Sequence, residues 1–289
     1  MANSPRQAGK ESKIKRGWWL SNRFLFWRRL SQLAILMMFL SGSLFNFSIL
    51  KGNYSGSLLF DMIPMSDPLI ILESLSTLYI PAFTALLGFI IVVIFYSVVG
   101  SKIFCGWVCP LNLITDFAAW LRRKLGIRKT AKLLRSIRYA MLLIILFGSA
   151  VSGTLLWEWI NPVATLGRIL IYGIESSLWL ILAIFLLDLL IIEHGWCGHL
   201  CPLGACYALI GAKSIVRISA KNRKQCNNCM DCYHICPEPQ VLRFPLHGKN
   251  NESPLVLSKD CISCGRCIDV CAENVFSFTT RFNHSGGSK

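Results

Sequence analysis

Acidic residues are scarce in this chain: fifteen Asp and Glu stand against thirty Lys and Arg in 289 residues, and charged residues make up only 16% of the total. With 54% hydrophobic residues and a mean hydropathy of +0.51, this is too little charge for an ordinary soluble domain. Charge is also missing in stretches. Leu30–Leu50, Ile80–Gly100, Tyr139–Trp157 and Ser177–Ile192 are nearly free of it, and a crossing of about 30 Å of hydrocarbon takes about 20 such residues. The fourth is the shortest and is expected to begin a turn earlier. The composition therefore predicts an α-helical membrane protein with four transmembrane helices.

Basic residues are nearly absent from the loops at 51–79 and 158–176, which carry one each, whereas 1–30 hold eight, 101–138 nine and 193–289 eleven. That asymmetry excludes a nucleic-acid-binding reading of the +15 net charge and, by the positive-inside rule, puts both termini in the cytoplasm of a bacterial inner membrane. Arg122, Arg123, Lys124, Arg128 and Lys129 are expected at anionic lipid headgroups. Arg28-Arg29 before an apolar run is not read as an export signal, because three more spans follow and no clear small-residue cleavage site closes the first. The aromatic WWLSNRFLFWRRL stretch reads as interfacial, after a polar and mobile start to about Gly17. The 51–79 loop reads as irregular around Pro64 and Pro68, with Asp61, Asp67 and Glu73 facing the outer compartment.

The chain has no long periplasmic domain and no His/Met cluster suited to copper, which argues against a sensor or a copper chaperone. What it has is cysteine, thirteen in all. All lie in or beside segments expected in the cytoplasm, where disulfides are disfavoured and metal or redox chemistry is the better reading.

Cys226-x2-Cys229-x2-Cys232-x3-Cys236-Pro237 has the spacing of a bacterial cluster-binding run, and Cys261-x2-Cys264-x2-Cys267-x3-Cys271 repeats it with Ala272 in place of the proline. In such runs three close thiolates bind one cubane and the fourth reaches the other. The expected ligand sets are Cys226, Cys229, Cys232 and Cys271 for one [4Fe–4S] cluster, and Cys261, Cys264, Cys267 and Cys236 for the second. Zinc also uses C-x2-C pairs, but it does not need three cysteines at successive x2 spacings followed by x3-C, twice. Gly265 suits a tight loop around a cluster. Asn227, Asn228, Asp231 and Arg266 are read either as tuning groups or as a solvated loop face.

Residues 105–110 read CGWVCP and 197–202 read CGHLCP. Each ends a span, and Pro110 and Pro202 suit the first turn of a new helix. After Pro110, Leu113, Phe117, Trp120 and Leu121 mark the apolar face of an amphipathic helix along the inner membrane surface. The chain thus reads as two helical hairpins in a parallel repeat. With cysteines at i and i+4 on one helical face, Cys105, Cys109, Cys197 and Cys201 form a candidate four-ligand metal site or reversible thiol pair, against buried unliganded cysteines as the plainer reading. The expected domains are a cytoplasmic segment at 1–29, the transmembrane domain at 30–218, a cytoplasmic α+β ferredoxin-like module with two cluster-binding runs at 219–280, and a disordered tail at 281–289.

The four-span layout, the two C-x3-C-P motifs and the paired runs together resemble the NapH ferredoxin-type family, the membrane subunit of the quinol dehydrogenase serving periplasmic nitrate reductase. The resemblance extends through GNYSGSLLFD, GTLLWEWINP and DLLIIEHGWCGHLCPLGA. It implies oxidation of ubiquinol or menaquinol, with electrons passed to a periplasmic iron–sulfur subunit and on to the nitrate reductase. The alternative is a membrane-anchored iron–sulfur assembly or maturation factor. Two candidates for the quinol site stand out. Asp188 is the ionisable residue well inside a span, with a satisfied structural acid as the plainer reading. Glu158 lies between Trp157 and Trp159 at the outer exit of the third span, next to Asn161 and Pro162. Glu193 and His194 are read as headgroup-level residues beside the second motif.

Overall fold

The computed structural model describes residues 8–45, 49–127, 130–131, 133–172, 178–248 and 253–282. In chain order its elements are α1 (Lys10–Leu20), α2 (Arg23–Phe45), β1 (Leu50–Gly52), β2 (Gly56–Leu59), β3 (Ile63–Ser66), α3 (Pro68–Ser76) and α4 (Phe83–Val99). Then come α5 (Leu111–Lys124), α6 (Ile137–Ser152), α7 (Leu156–Ile160), α8 (Pro162–Tyr172), α9 (Leu178–Leu186) and α10 (Pro202–Ile210). The last part holds β4 (Val216–Ser219), α11 (Asp231–Ile235), α12 (Arg243–His247), α13 (Arg266–Val270) and β5 (Ser277–Thr280). Two compact units emerge: Met1–Leu30, Tyr96–Trp107 and Gly211–Lys289 form one, and Ser31–Phe95 with Val108–Ile210 the other.

In the second unit α6 packs against α3 and α10, α3 also touches α10, and α5 packs against α9. Within α2, Arg23–Ser41 is long and apolar enough to cross a membrane, while Phe83–Val99, Ile137–Ser152 and Leu178–Ile191 are apolar but shorter. The boundaries differ from the sequence expectation for local reasons. α2 starts at Arg23, seven residues before Leu30. α6 stops at Ser152 because Gly153 takes a left-handed conformation (φ 68°), and WEWI forms the separate α7. The apolar run after α9 ends in a wide i→i+5 turn over Leu187–Ile191. Ser177, Arg128 and Lys129 lie outside the described residues.

The polarity of this unit is inside out. Phe83, Phe147 and Trp179 are each more than 70% exposed, whereas Gln32, Glu73, Arg122, Arg138 and Asp188 are at most 1% exposed. α5 shows the same inversion at single-helix scale: Phe117 and Trp120 face outward, and Asn112, Thr115, Asp116 and Arg122 face inward.

The 51–79 loop is not irregular. β1, β2 and β3 form an antiparallel sheet with Leu50 opposite Leu59 and Gly56 opposite Ser66. Pro64 fits within β3, and Pro68 opens α3, where its missing N–H costs nothing. Asp67 caps that helix by accepting Leu69 N–H at 2.8 Å. Of the three acids expected to face outward, only Asp61 is exposed, paired with Lys51. Asp67 and Glu73 are buried, because each has backbone donors to satisfy. Glu73 accepts Trp157 N–H at 2.8 Å and the Ser149 hydroxyl, thereby tying α3 to α6 and α7.

The N-terminal start is also ordered from Ala8 onward. α1, broken at Gly17, and the start of α2 belong to the same unit as the C-terminal module. Residues 1–7 and 283–289, the ends of the expected mobile start and tail, lie outside the described residues.

Burial raises the Asp67 carboxyl from 3.8 to about 7, helped by the nearby charges of Glu158 and Glu73. The folded state therefore holds this proton more tightly than the unfolded chain. Its stabilising effect is full below pH ~4 and is lost as pH rises to about 7, a difference of roughly 4 kcal/mol. Asp67→Asn keeps the helix cap and removes the titration, so thermal unfolding between pH 5 and pH 8 should show a flatter pH dependence and a higher midpoint at pH 8 than the native protein.

Candidate iron–sulfur sites

The two cysteine runs fold alike. In each, the residues two and four positions after the first cysteine take left-handed conformations: Asn228 (φ 55°) and Met230 (φ 66°) in one, Ser263 (φ 51°) and Gly265 (φ 73°) in the other. These two inversions curl the chain so that successive cysteines turn toward one side. A single helical turn follows, α11 or α13, carrying the third cysteine, and the fourth lies just past its end. β4 and β5 bracket the module as an antiparallel pair, with Val216 opposite Thr280 and Ser219 opposite Ser277.

Two cavities result. One is lined by Cys226, Cys229, Cys232 and Cys271 against Leu246, Val270, Val275 and Phe276. The other is lined by Cys236, Cys261, Cys264 and Cys267 against Ile218, Val241, Leu242 and Ile262. Each run thus contributes three cysteines to one cavity and its fourth to the other. Burial, then the neighbouring cysteines, pushes Cys232 up to about 12, and burial pushes Cys261 up to about 11. Cys236 and Cys267 are held well above the ordinary thiol value for the same reason. Thiols this desolvated ionise only if a cation shares the cavity. Soft donors in fours around an apolar hollow fit iron–sulfur clusters, which spread their ligands over separate irons. Among the described residues no three His, Cys, Asp or Glu converge on the position of a single metal ion.

Residues 9–25 clamp this module. Gly9 N–H donates to Asp231 Oδ2 at 2.9 Å, Ser12 Oγ to Asp269 O at 2.7 Å, and Arg16 Nη1 to Ile268 O at 2.8 Å and Cys271 O at 2.7 Å. The Asp269 carboxylate in turn accepts Phe24 and Leu25 N–H, both at 3.1 Å, and Lys15 pairs with Glu273. Asp231 and Asp269, which the runs place at the start and within their helical turns, are therefore anchor points for a segment more than 200 residues away.

The C-x3-C-P motifs are also a structural pair, though not as regular helix. Each forms an i→i+5 turn, Phe104–Val108 and Trp196–Leu200, so its two cysteines do not share a face of an α-helix. Each turn follows a left-handed residue three positions before the first cysteine, Lys102 (φ 44°) or His194 (φ 54°). Each glycine carbonyl accepts from a buried arginine: Gly106 O from Arg28 Nε at 2.8 Å, and Gly198 O from Arg138 Nη1 at 3.1 Å. Cys105 belongs to the first unit and Cys109, Cys197 and Cys201 to the second. Cys197 Sγ lies 3.9 Å from Thr115 Oγ1, and Cys201 Sγ accepts Gly204 N–H at 3.4 Å. Nothing in the sequence signalled the arginine latches, because Arg28 stood out only as half of the Arg28-Arg29 pair and Arg138 only as one of the basic residues of 101–138.

Asp188 is fully buried and accepts Trp196 N–H at 3.0 Å, which holds the turn into the second motif. Arg122 Nη1 donates to the adjacent Leu189 carbonyl at 2.8 Å. His194 is buried rather than at a free surface, while Glu193 pairs with Arg123 at 2.7 Å. Glu158 accepts from Ser55 Oγ at 3.0 Å and lies 3.5 Å from Arg168, and its charge reaches Asp67. The structure therefore brings Glu158 within electrostatic reach of Asp67, an acid that the sequence had assigned to solvent.

Comparison with known proteins agrees with this architecture. A family described as a 4Fe-4S binding domain matches residues 81–128 and again 175–221, one match for each C-x3-C-P repeat. A 4Fe-4S dicluster domain family matches residues 225–275. The ferredoxin-type protein NapH of Haemophilus influenzae is 68% identical over 99% of this chain and the whole of that protein. The protein of the same name from Escherichia coli K12 is 53% identical over the full length of both. The methylamine utilization ferredoxin-type protein MauN of Methylorubrum extorquens is 45% identical over 88% of each chain. No solved structure matches.

Gly265 combines a left-handed backbone with contact to the clamp, since a Cβ there would stand 2.6 Å from the Phe24 ring. Gly265→Ala should destabilise the module by roughly 2 kcal/mol or more and lower its iron content. Alanine at the exposed Lys221 should do neither, as followed by thermal unfolding and iron analysis.

Proposed function

This chain belongs to the NapH ferredoxin-type family, and from that premise we propose that it is the electron-transfer membrane subunit of a quinol dehydrogenase feeding periplasmic nitrate reductase through an iron–sulfur partner. Iron–sulfur electron transfer is common to the family. Quinol as donor, two clusters in number and nitrate reductase as destination are the finer part of the proposal. The observation that carries it is the pair of cavities, each with three cysteines of one run and the fourth of the other.

Bound there, [4Fe–4S] clusters supply one-electron carriers. The chain's residues do the rest: the cysteines hold the carriers, the apolar walls keep water away, and the clamp of Gly9–Leu25 fixes the two helical turns. A membrane setting is favoured by the inverted polarity of the second unit. A surface of Phe, Ile, Leu and Trp over buried Arg, Glu and Asp is stable in lipid and unfavourable in water. Four spans follow if the three shorter apolar helices also cross. At 1.5 Å per residue the 16 residues of α6 rise about 24 Å, and wide turns or loops continue the others.

Quinol oxidation also releases protons. Glu158 and Asp188 remain the candidate proton-handling groups, and Asp67 joins them, because a buried acid with a pKa near 7 is matched to proton transfer at neutral pH. α3, which carries Asp67 at its cap, touches α10 directly after the second motif.

In membrane vesicles supplied with quinol and the periplasmic iron–sulfur partner, the expected outcome is cluster reduction coupled to quinol oxidation. Glu158→Gln, Asp188→Asn and Asp67→Asn should each slow quinol-driven reduction several-fold while leaving the electron paramagnetic resonance of the clusters intact. Because Asp67→Asn is expected to stabilise the fold at pH 8, a loss of rate in that variant would not be unfolding. Iron analysis should give about eight irons per chain, and Cys236→Ser and Cys271→Ser should each lose a different paramagnetic component. Quinol that reduces nothing, together with incompletely loaded nitrate reductase when the protein is missing, would favour a maturation role instead.

A further inference from the structure

Arg217, on β4, is 2% exposed. Its guanidinium ends among backbone oxygens: Nη1 donates to Ser258 O at 3.1 Å, Nη2 to Gly211 O at 3.1 Å and Ala212 O at 2.6 Å, and Nε to Ser214 O at 3.3 Å. No carboxylate pairs with it among the described residues. A permanent charge so buried is costly unless an anion shares its surroundings. The Ser258 carbonyl that takes Arg217 Nη1 also takes Cys261 N–H, at 3.4 Å. One carbonyl oxygen therefore bridges the guanidinium and the first cysteine of the second cavity.

Fixed charge differs between the two cavities. The first is lined by two acids, Asp231 and Glu273, and the arginine nearest its fourth cysteine, Arg16, has the Asp269 carboxylate within electrostatic reach. The second is lined by Glu238 and Arg266. Glu238 is matched by Lys102 at 3.2 Å, which also lies 4.0 Å from Asp260. Arg217 comes in addition to these. Exposure differs as well. Cys226 and Cys229 are half-buried beside exposed Asn227, Asn228 and Met230, whereas Cys261, Cys264 and Cys267 are all buried.

We propose that Arg217 is the buried counter-charge of the site formed by Cys236, Cys261, Cys264 and Cys267, and that it holds this site at a more positive reduction potential than its neighbour. The inference rests on the reading of both cavities as cluster sites. Reduction of a four-thiolate centre adds one electron and makes or breaks no bond, so the site gains one negative charge. Burial disfavours that gain, and a cation fixed in a region of low dielectric offsets it. Arg217 is thus a positioning residue for charge rather than a ligand. The half-exposed site is then the port of exchange, and the inner site is where an electron rests.

The test is a redox titration of the intact protein with dithionite as reductant, followed by electron paramagnetic resonance, with iron and sulfide content measured first in every sample. Native protein should show two components of unequal potential. Arg217→Met should move the higher one down and leave the lower in place, shifting the sharing of one electron at least tenfold toward the first site. Arg217→Lys, which keeps the charge and loses the fork of hydrogen bonds, should recover most of the shift. Arg16→Met should leave the higher component unmoved.

With full iron content, unchanged potentials in Arg217→Met, or equal shifts of both components, would overturn the proposal. So would a lysine variant shifted as far as the methionine one, since the hydrogen bonds and not the charge would then be responsible. Should Arg217→Met fail to retain iron, Arg217→Gln against Arg217→Lys decides on the same criterion, and equal potentials in the two overturn the idea. Native protein with no iron after reconstitution would instead remove the cluster reading beneath it, and the iron analysis separates that failure from the others.

Discussion

A thiol taken out of water needs a positive neighbour before it can become a thiolate, and this chain gathers cysteines in two groups of four, buried or half-buried. That constraint explains much of what surrounds them. The cavities must be walled with apolar side chains, yet each must draw a ligand from the distant run, so neither half of the module can be shaped without the other. The loops must turn sharply between cysteines two residues apart, which the left-handed residues provide. The short helical turns that follow have too few internal hydrogen bonds to stand alone, and Asp231 and Asp269 hold them to the N-terminal segment.

The cysteine runs were legible because ligand spacing is a local property of the chain. The same spacing pointed to the exchange of the fourth cysteine, which matches the lining of the two cavities. The left-handed positions were legible only at Gly265; Asn228, Met230 and Ser263 occupy the same conformation with side chains that give no such hint. The clamp was hidden for another reason. Half of it is built from backbone N–H groups of Gly9, Phe24 and Leu25, and a backbone donor looks alike at every position in a sequence. Glu73 and Asp67 were misplaced because an acid in a loop is usually solvated, and only the three-dimensional arrangement shows the Trp157 N–H and the start of α3 as their acceptor duties.

Across the helical unit, burial follows the reverse of the aqueous rule. Arg122, Arg138 and Glu73 are interior crosslinks, and Phe83, Phe147 and Trp179 lie on the exterior. Arg138 binds a backbone carbonyl, as does Arg28 in the other unit. The Gly106 and Gly198 carbonyls in the wide turns at the two motifs thus meet guanidinium donors, which in a buried site is the alternative to leaving them unsatisfied. The two halves of the repeat reached this arrangement with different side chains elsewhere, since CGWVCP and CGHLCP share no more than their cysteines, glycine and proline.

The reach of the clamp has a consequence in time. Ser12 bonds to the carbonyl of Asp269, 257 residues later in the chain, so this segment finds its partner only after the whole stretch between them has been made. In the meantime the apolar helices must find their own places, and contacts of such long range are formed late and slowly. Closing the module thus belongs to the slow, long-range class of folding steps, and the helical turns that carry Cys232 and Cys267 gain their outside support only when it is taken.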